Sequence, residues 1–277
     1  MSGFDLHTHS TYSDGTLDPE EVVELARSRD LAGIALTDHD TTEGVERARK
    51  AAELPGLVVL TGCELSAEHE GDPVHVLGYE FDPAEPVFAA ARERIRSGRV
   101  TRARRMVERL RDLGVPLEYE RVEELAGEGS VGRPHVARAM VEAGVVPDVP
   151  SAFSPDWIGT GGRAYVAKEA VTPVEAVRLI HGAGGVAVLA HPSVHAGARA
   201  VPEPLIRAMA VAGLDGLEAD HPDHPPGARD HWRALAAELG MEATGSSDCH
   251  GALYGYRMGV CRTSEATLEA LLARRPG

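Results

Sequence analysis

The chain has 277 residues, 43% hydrophobic and 26% charged, a composition that can bury a full core and that excludes a disordered or fibrous protein. Lys and Arg number 28 against 43 Asp and Glu, a net charge of -15, which excludes holding long DNA through a general basic surface although a single phosphate group can still be gripped locally. The longest apolar runs, such as 186–190, fall far short of a membrane span, and residues 1–5 carry neither a basic nor a hydrophobic leader segment, so a soluble, cytoplasmic protein is expected.

In chain order, short apolar runs recur, each ending in a polar cluster and usually followed by a helical pattern. The runs are Phe4 to Leu6, Gly33 to Leu36, Val58 to Leu60, Val74 to Leu77, Val186 to Leu189, Gly216 to Glu218 and Ala243 to Gly245. This is an α/β rhythm of parallel strands. Asp18-Pro19-Glu20-Glu21 supplies an N-cap, a first-turn Pro and an N3 Glu, so a helix is expected from about Pro19 to Arg29. Further helices are expected at Thr42 to Leu54, Thr172 to Ala183, Glu203 to Ala212 and Ala228 to Leu239. Between Pro86 and about Arg163 the rhythm stops. A helical stretch from about Val87 to Leu113 carries nine Arg between Arg92 and Arg111, and Gly/Pro-interrupted helical pieces follow. The expected organisation is an α/β domain of residues 1–85 and 164–277 with a mostly helical insertion, a substrate lid, at 86–163.

Cys63, Cys249 and Cys261 are too few and too scattered for a disulfide framework or a CxxC metal site, so any metal must be held by His and carboxylates. Asp5-Leu6-His7-Thr8-His9 puts two imidazoles at i and i+2 on an extended segment, where alternate side chains share a face and can reach one ion. Alone this pair is weak. Its company is Asp38-His39-Asp40 after the second strand, Glu64 after the third, His75 in the fourth, His191-Pro192 after the fifth and Asp248-Cys249-His250 after the last. Nearly all lie at the carboxyl end of a strand-like run, where a barrel of parallel strands gathers its site.

These segments resemble the polymerase-and-histidinol-phosphatase (PHP) family of metal-dependent phosphoesterases. The resemblance rests on Asp5-Leu6-His7-Thr8-His9-Ser10 with Ser13-Asp14-Gly15, Thr37-Asp38-His39-Asp40, Gly62-Cys63-Glu64, His75-Val76-Leu77-Gly78-Tyr79, Leu189-Ala190-His191-Pro192 and Gly245-Ser246-Ser247-Asp248-Cys249-His250-Gly251. It implies a distorted (β/α)7 barrel holding three divalent ions, for which Mn, Fe or Zn all suit the His and carboxylate mixture. His7, His9, Glu64 and Asp248 are implied as ligands of the first ion. Glu64 would bridge to a second, completed by His75 and His191. Asp14, His39 and His250 would hold the third, with Asp14 alternatively a turn-forming residue before Gly15. Asp38 is implied to orient a ligand imidazole.

Two ions sharing a carboxylate would lower the pKa of a bridging water and aim the resulting hydroxide at phosphorus, with a third neutralising charge. Three divalent ions bring six positive charges against three from Asp14, Glu64 and Asp248, a surplus that favours an anionic substrate in spite of the acidic chain. Val131-Gly132-Arg133-Pro134-His135-Val136-Ala137 resembles a motif of the PHP subgroup acting on nucleotide 3′,5′-bisphosphates and on 5′ ends of short RNA. It implies Arg133 as a phosphate fork and His135 as a phosphate or nucleotide contact. Lys168 stands where this subgroup often has a basic residue. His221 and His224, after a strand, are candidates to line the pocket, and His224 is the preferred candidate to protonate the leaving group. His69, His181, His195 and His231 match no motif and are read as structural or surface residues.

The expected function is therefore metal-dependent hydrolysis of a nucleotide phosphate, most specifically the 3′-phosphate of a 3′,5′-bisphosphate such as adenosine 3′,5′-bisphosphate (pAp). The alternatives are 5′-3′ degradation of short RNA, histidinol-phosphate hydrolysis and a non-catalytic metal-binding module. A small phosphorylated molecule or short RNA is the expected partner. The Arg-rich stretch is read as a solvated helix in preference to an RNA-binding one.

Overall fold

Strands form where short apolar runs can be buried on both faces, and in β1 (Phe4–Thr8), β2 (Gly33–Leu36) and β5 (Val186–Leu189) every residue is buried. With β3 (Val58–His69), β4 (Asp72–Tyr79), β6 (Gly216–Asp220) and β7 (Glu242–Gly245) they make one seven-stranded sheet in sequence order. The computed structural model describes the chain apart from residues 1, 2, 54, 55, 128, 130, 168, 169, 194–199 and 277. The sheet curls into a nearly closed, distorted barrel. Thr8 bridges Cys249, and the His9 N–H donates to the Cys249 carbonyl at 2.9 Å, so the segment after β7 lies against the end of β1.

The strands are not all parallel. β1, β2 and β3 run together, as do β5, β6 and β7, but β4 is antiparallel to both its neighbours. The reason is local: only Glu70 and Gly71 separate β3 from β4, both with positive φ (52° and 89°), the loop of a tight hairpin. A parallel return would need a crossover of a dozen residues or more. The strand after Val58 also continues well past Leu60, so Glu64 lies within β3 and not after it.

Helices cover the barrel. α1 (Pro19–Ser28) starts at the expected capping box, with the Asp18 carboxylate accepting from the Glu21 N–H at 2.9 Å. α2 (Val45–Ala51) is shorter than expected, beginning after Gly44. Between β4 and β5 come α3 (Pro86–Asp112), α4 (Tyr119–Ala126), α5 (Arg133–Glu142) and α6 (Val149–Ala152). α7 (Pro173–Gly182), α8 (Glu203–Val211) and α9 (Ala228–Glu238) follow the expected pattern, and α10 (Glu265–Leu272), capped by Ser264, was not foreseen. Among the described residues no helix is long and apolar enough to cross a membrane.

α3 belongs to two cores. Phe88 and Ile95 pack with Val177 and Ile180 against the barrel, whereas Met106 and Leu110 pack with Val122, Val136 and Met140 of the helical region. Its arginines tie it down. Arg92 reaches Thr42 and the Pro83 carbonyl, Arg96 pairs with Glu43, Arg99 with Asp40 at 2.6 Å, and Arg102 donates to the Val166 carbonyl at 2.7 Å. Glu93 is one of several partners of this helix, and most of the others lie outside it. The first part of the basic stretch thus holds α3 against the barrel, while Arg104 and Arg111 pair with Glu123 and Glu118 within the helical region.

Candidate metal centre

The alternation of an extended chain puts His7 and His9 on one side of β1, both buried, with their Nε2 atoms 3.1 Å apart. β3 delivers Glu64 to the same point. Its carboxylate has five imidazole nitrogens within 3.3 Å: Oε2 faces His7, His9 and His39, and Oε1 faces His75 and His191. Asp248, after β7, brings Oδ1 to 3.3 Å from His7 and 3.2 Å from His9. Asp14 lies 3.2 Å from His250 and 3.7 Å from both His9 and His39. All nine of the residues expected as ligands therefore converge. They form four overlapping groups able to hold an ion, each with ligand atoms within 4.8 Å: His9, Asp14, His39 and His250; His7, His9 and Asp248; His7, Glu64 and His191; His39, Glu64 and His75.

The chemistry of this donor set fits divalent cations. Six imidazoles face three carboxylates at depth, with neighbouring acceptor atoms turned towards one another. Asp14 Oδ1 and Asp248 Oδ1 are buried without a hydrogen bond. Burial opposes the charged form of Glu64, but His39, His75 and His7 outweigh it and hold its carboxyl well below the usual range. Burial likewise opposes the His9 cation, yet Asp248 and Glu64 raise its pKa to about 10, while burial drives His39 down to about 3. Neighbouring imidazoles pulled in opposite directions mark a cluster that protons satisfy poorly and that cations would satisfy well.

A second layer fixes the first. Glu218, fully buried in β6, accepts from the His191 N–H at 2.7 Å and contacts His7 Nδ1 at 3.2 Å, leaving Nε2 of His7 for the cage. Asp38 accepts from Ser10 and from the Ser13 hydroxyl at 2.6 Å, and Ser13 Oγ lies 3.3 Å from His9 Nδ1, so Asp38 acts on that imidazole through Ser13. Asp5 accepts from the N–H groups of Ser247 and Gly259 and so holds β1 beside the Asp248 loop. Asp40, His191 and Asp248 have φ of 58°, 22° and 49°, left-handed values that are costly for residues with a side chain and that gather here at strand ends.

The cage opens into a cavity of about 590 Å³ whose wall includes Arg99 and Arg102 of α3, Arg133 of α5, and Tyr254 and Arg257 from the loop after β7. Burial and the charge of Arg99 lower the pKa of Arg133. Its guanidinium lies over the Phe153 ring at 5.3 Å, and its buried Nη1 donates to no acceptor. Arg102, lowered to about 10 by burial and by Arg133, flanks it. His135 takes another position: it accepts from the Gly132 N–H at 3.0 Å at the start of α5 and lines a separate cavity with Tyr12 and Arg138. His221 is buried with Nε2 3.6 Å from Asp248. His224 meets the Ala219 carbonyl at 2.9 Å through Nδ1, and burial lowers its pKa to about 4. Lys168 and His195 lie outside the described residues. His181 pairs with Asp215 at 2.7 Å and His231 with Glu203 at 3.3 Å, both away from the cage, and His69 ends β3.

Sequence reasoning missed Glu218, Arg99, Arg102, Tyr254 and Arg257. Only Glu218 left a cue, as an acid inside an apolar strand. The others reach the cavity through tertiary packing.

The PHP domain matches residues 5–115. A 3′,5′-nucleoside bisphosphate phosphatase of Chromobacterium violaceum is 35% identical over 99% of this chain and 99% of its own length. A 5′-3′ exoribonuclease of Haemophilus influenzae is 34% identical over 89% of each chain. A crystal structure from Bifidobacterium adolescentis, designated a metal-dependent phosphoesterase, superposes with a TM-score of 0.92 at 35% identity, covering 100% of this chain and 97% of its own.

Proposed function

Because the chain belongs to the PHP family of metal-dependent phosphoesterases, we propose that it hydrolyses the 3′-phosphate of nucleoside 3′,5′-bisphosphates. His7, His9, Glu64 and Asp248 would hold one divalent ion, Glu64, His75 and His191 a second, and Asp14, His39 and His250 a third; the third set lies within one group of neighbouring donors, whereas His75 and His191 both face Glu64 Oε1 but fall in different groups, with His39 and with His7. Bound there, such ions supply Lewis acidity that acidifies water and neutralises phosphoryl charge. The chain's own part is positioning. Glu64 turns its two oxygens towards different imidazoles, as a shared carboxylate must, and Glu218 holds the orientation of His7.

The observation that carries the bisphosphate reading is Arg133. A buried guanidinium with an unsatisfied Nη1, beside Arg102, in the same cavity as a cage for cations, calls for a second anionic group on one substrate. A phosphate there would relieve the mutual repulsion of the two cations and take a bidentate contact. His224 remains the candidate to protonate the leaving oxygen, and burial, which lowers its pKa to about 4, works against the charged form that this role requires. His221 and Lys168 remain candidates for substrate contact, whereas the place of His135 in a separate cavity, bonded to the Gly132 N–H, argues against its reaching the same phosphate. Manganese-loaded protein is expected to convert pAp to AMP and phosphate in equal amounts. Mononucleotide ladders from 5′-phosphorylated short RNA without turnover of pAp would favour the exoribonuclease reading instead, and release from neither substrate would refute both.

A further inference from the structure

The cavity holds three aromatic rings that differ in freedom. Phe153 lies beneath the Arg133 guanidinium and Tyr165 beneath that of Arg102, 5.4 Å from the ring centre, and both are half-buried. Tyr254 is 48% exposed and borders the same cavity. Its position is fixed from both ends. It closes a short 3-10 helix, Gly251–Tyr254, that follows directly on Asp248 and His250. Gly251 has φ of +67°, and a Cβ there would meet Thr16 Oγ1 at 2.3 Å; Gly255, the next residue after Tyr254, has φ of +86°. The ring stands edge-on to His250 with centres 5.3 Å apart. The Arg257 guanidinium lies over the Tyr254 ring, 5.0 Å from its centre, as Arg133 and Arg102 lie over the other two rings, and is itself held by the Asp248 carbonyl at 3.1 Å and by Asp223. One face of the ring is thus covered by Arg257, and the rest, 48% exposed, borders the cavity beside a cage imidazole.

We propose that Tyr254 is the stacking platform for the nucleobase of the substrate, and so a specificity-determining residue. The inference rests on the nucleotide reading above. With one phosphate drawn to the cage and another to Arg133 and Arg102, the part of a nucleotide left to recognise is a flat aromatic ring attached to the ribose, and Tyr254 offers the matching surface. An ordinary phenol is uncharged at neutral pH and so does not repel the phosphates. Stacking is tolerant of base identity because every base has a π face, so the platform selects nucleotides over other phosphate esters without choosing strongly among bases.

The test compares AMP with ribose 5-phosphate, which lacks the base, by calorimetric titration of the manganese-loaded protein and its Tyr254→Ala and Tyr254→Phe variants. The wild type is expected to bind AMP about tenfold or more tighter than ribose 5-phosphate, an advantage within the range of one stacked base. Tyr254→Ala should shrink that advantage to within about twofold, and Tyr254→Phe, which keeps the ring, should preserve it. Equal affinities in the wild type, or an advantage undiminished in Tyr254→Ala, would overturn the proposal. Phosphate release from pAp by the same preparations reports on the activity separately, so absence of turnover with the base advantage intact would refute the activity and support the platform.

Discussion

The cage and the arginine wall sit in one cavity and are built in opposite ways. The cage is built by the sheet: its nine side chains come from within strands, as with His7, Glu64 and His75, and from the segments that follow them. The wall is an excess of donors delivered by helices, with Arg99 and Arg102 one turn apart on α3 and Arg133 at the start of α5. Each side carries buried groups that the protein alone does not satisfy, carboxylate oxygens on one and a guanidinium nitrogen on the other. Read together, the two imply a ligand set of opposite charges: cations for the cage, and a phosphate group for the wall.

The comparison breaks most severely if the cage is cut. Asp248→Ala or His9→Ala is expected to lower kcat on pAp by about a thousandfold or more, with circular dichroism close to wild type, since an ion rather than a packed core is lost. Turnover close to wild type in both variants would remove the metal assignment. Weakening the support is milder. Glu218→Gln keeps the volume but removes the carboxylate facing His7 Nδ1, and metal retained after dialysis against a weak chelator should correspond to about ten- to a hundredfold weaker affinity. Retention equal to wild type would reduce Glu218 to a packing residue.

Cutting the wall should act on one class of substrate. Arg133→Ala is expected to raise KM for pAp about tenfold, the scale of one charge-assisted contact, while leaving KM for a generic aryl phosphate within about twofold. Equal effects on both substrates would reject a second phosphate site. The smallest effect is on stability against pH in metal-free protein. His9 is raised above its unfolded value of 6.5 to about 10, so its stabilising contribution is complete below 6.5 and is lost as pH rises through 10. Thermal melting of metal-free protein should fall across that window, with Asp248→Ala and its weaker His9 partner showing a shallower decline. A flat profile for wild type would mean that His9 is not held charged by Glu64 and Asp248.

Much of the cage was legible because its chemistry is written in short segments with fixed geometry. Asp5 to His9 alternates by the rule of an extended strand, and Asp248-Cys249-His250 follows a strand that packs back beside it. Strand direction was less legible. The reversal at Glu70-Gly71 depends on two left-handed residues, and Glu-Gly is a weaker turn signal than Asn-Gly or Asp-Gly. The wall was the least legible. Arg99 and Arg102 looked like any other members of a basic helix, and only packing distinguishes them from Arg96, which pairs with Glu43, or Arg111, which pairs with Glu118. His135 shares a motif with Arg133, yet the first turn of α5 sends it to cap the helix at Gly132 while Arg133 faces the main cavity.

The central claim is that this cluster of imidazoles and acids is a cage for divalent cations. Elemental analysis of purified protein, reloaded with manganese after chelation and freed of excess by gel filtration, tests it most directly. The account predicts about three equivalents per chain for the intact cage, falling in His9→Ala and Asp248→Ala, with phosphate release from pAp tracking the bound metal across all samples. Substoichiometric metal that cannot be restored, or full activity in the chelated protein, would contradict it.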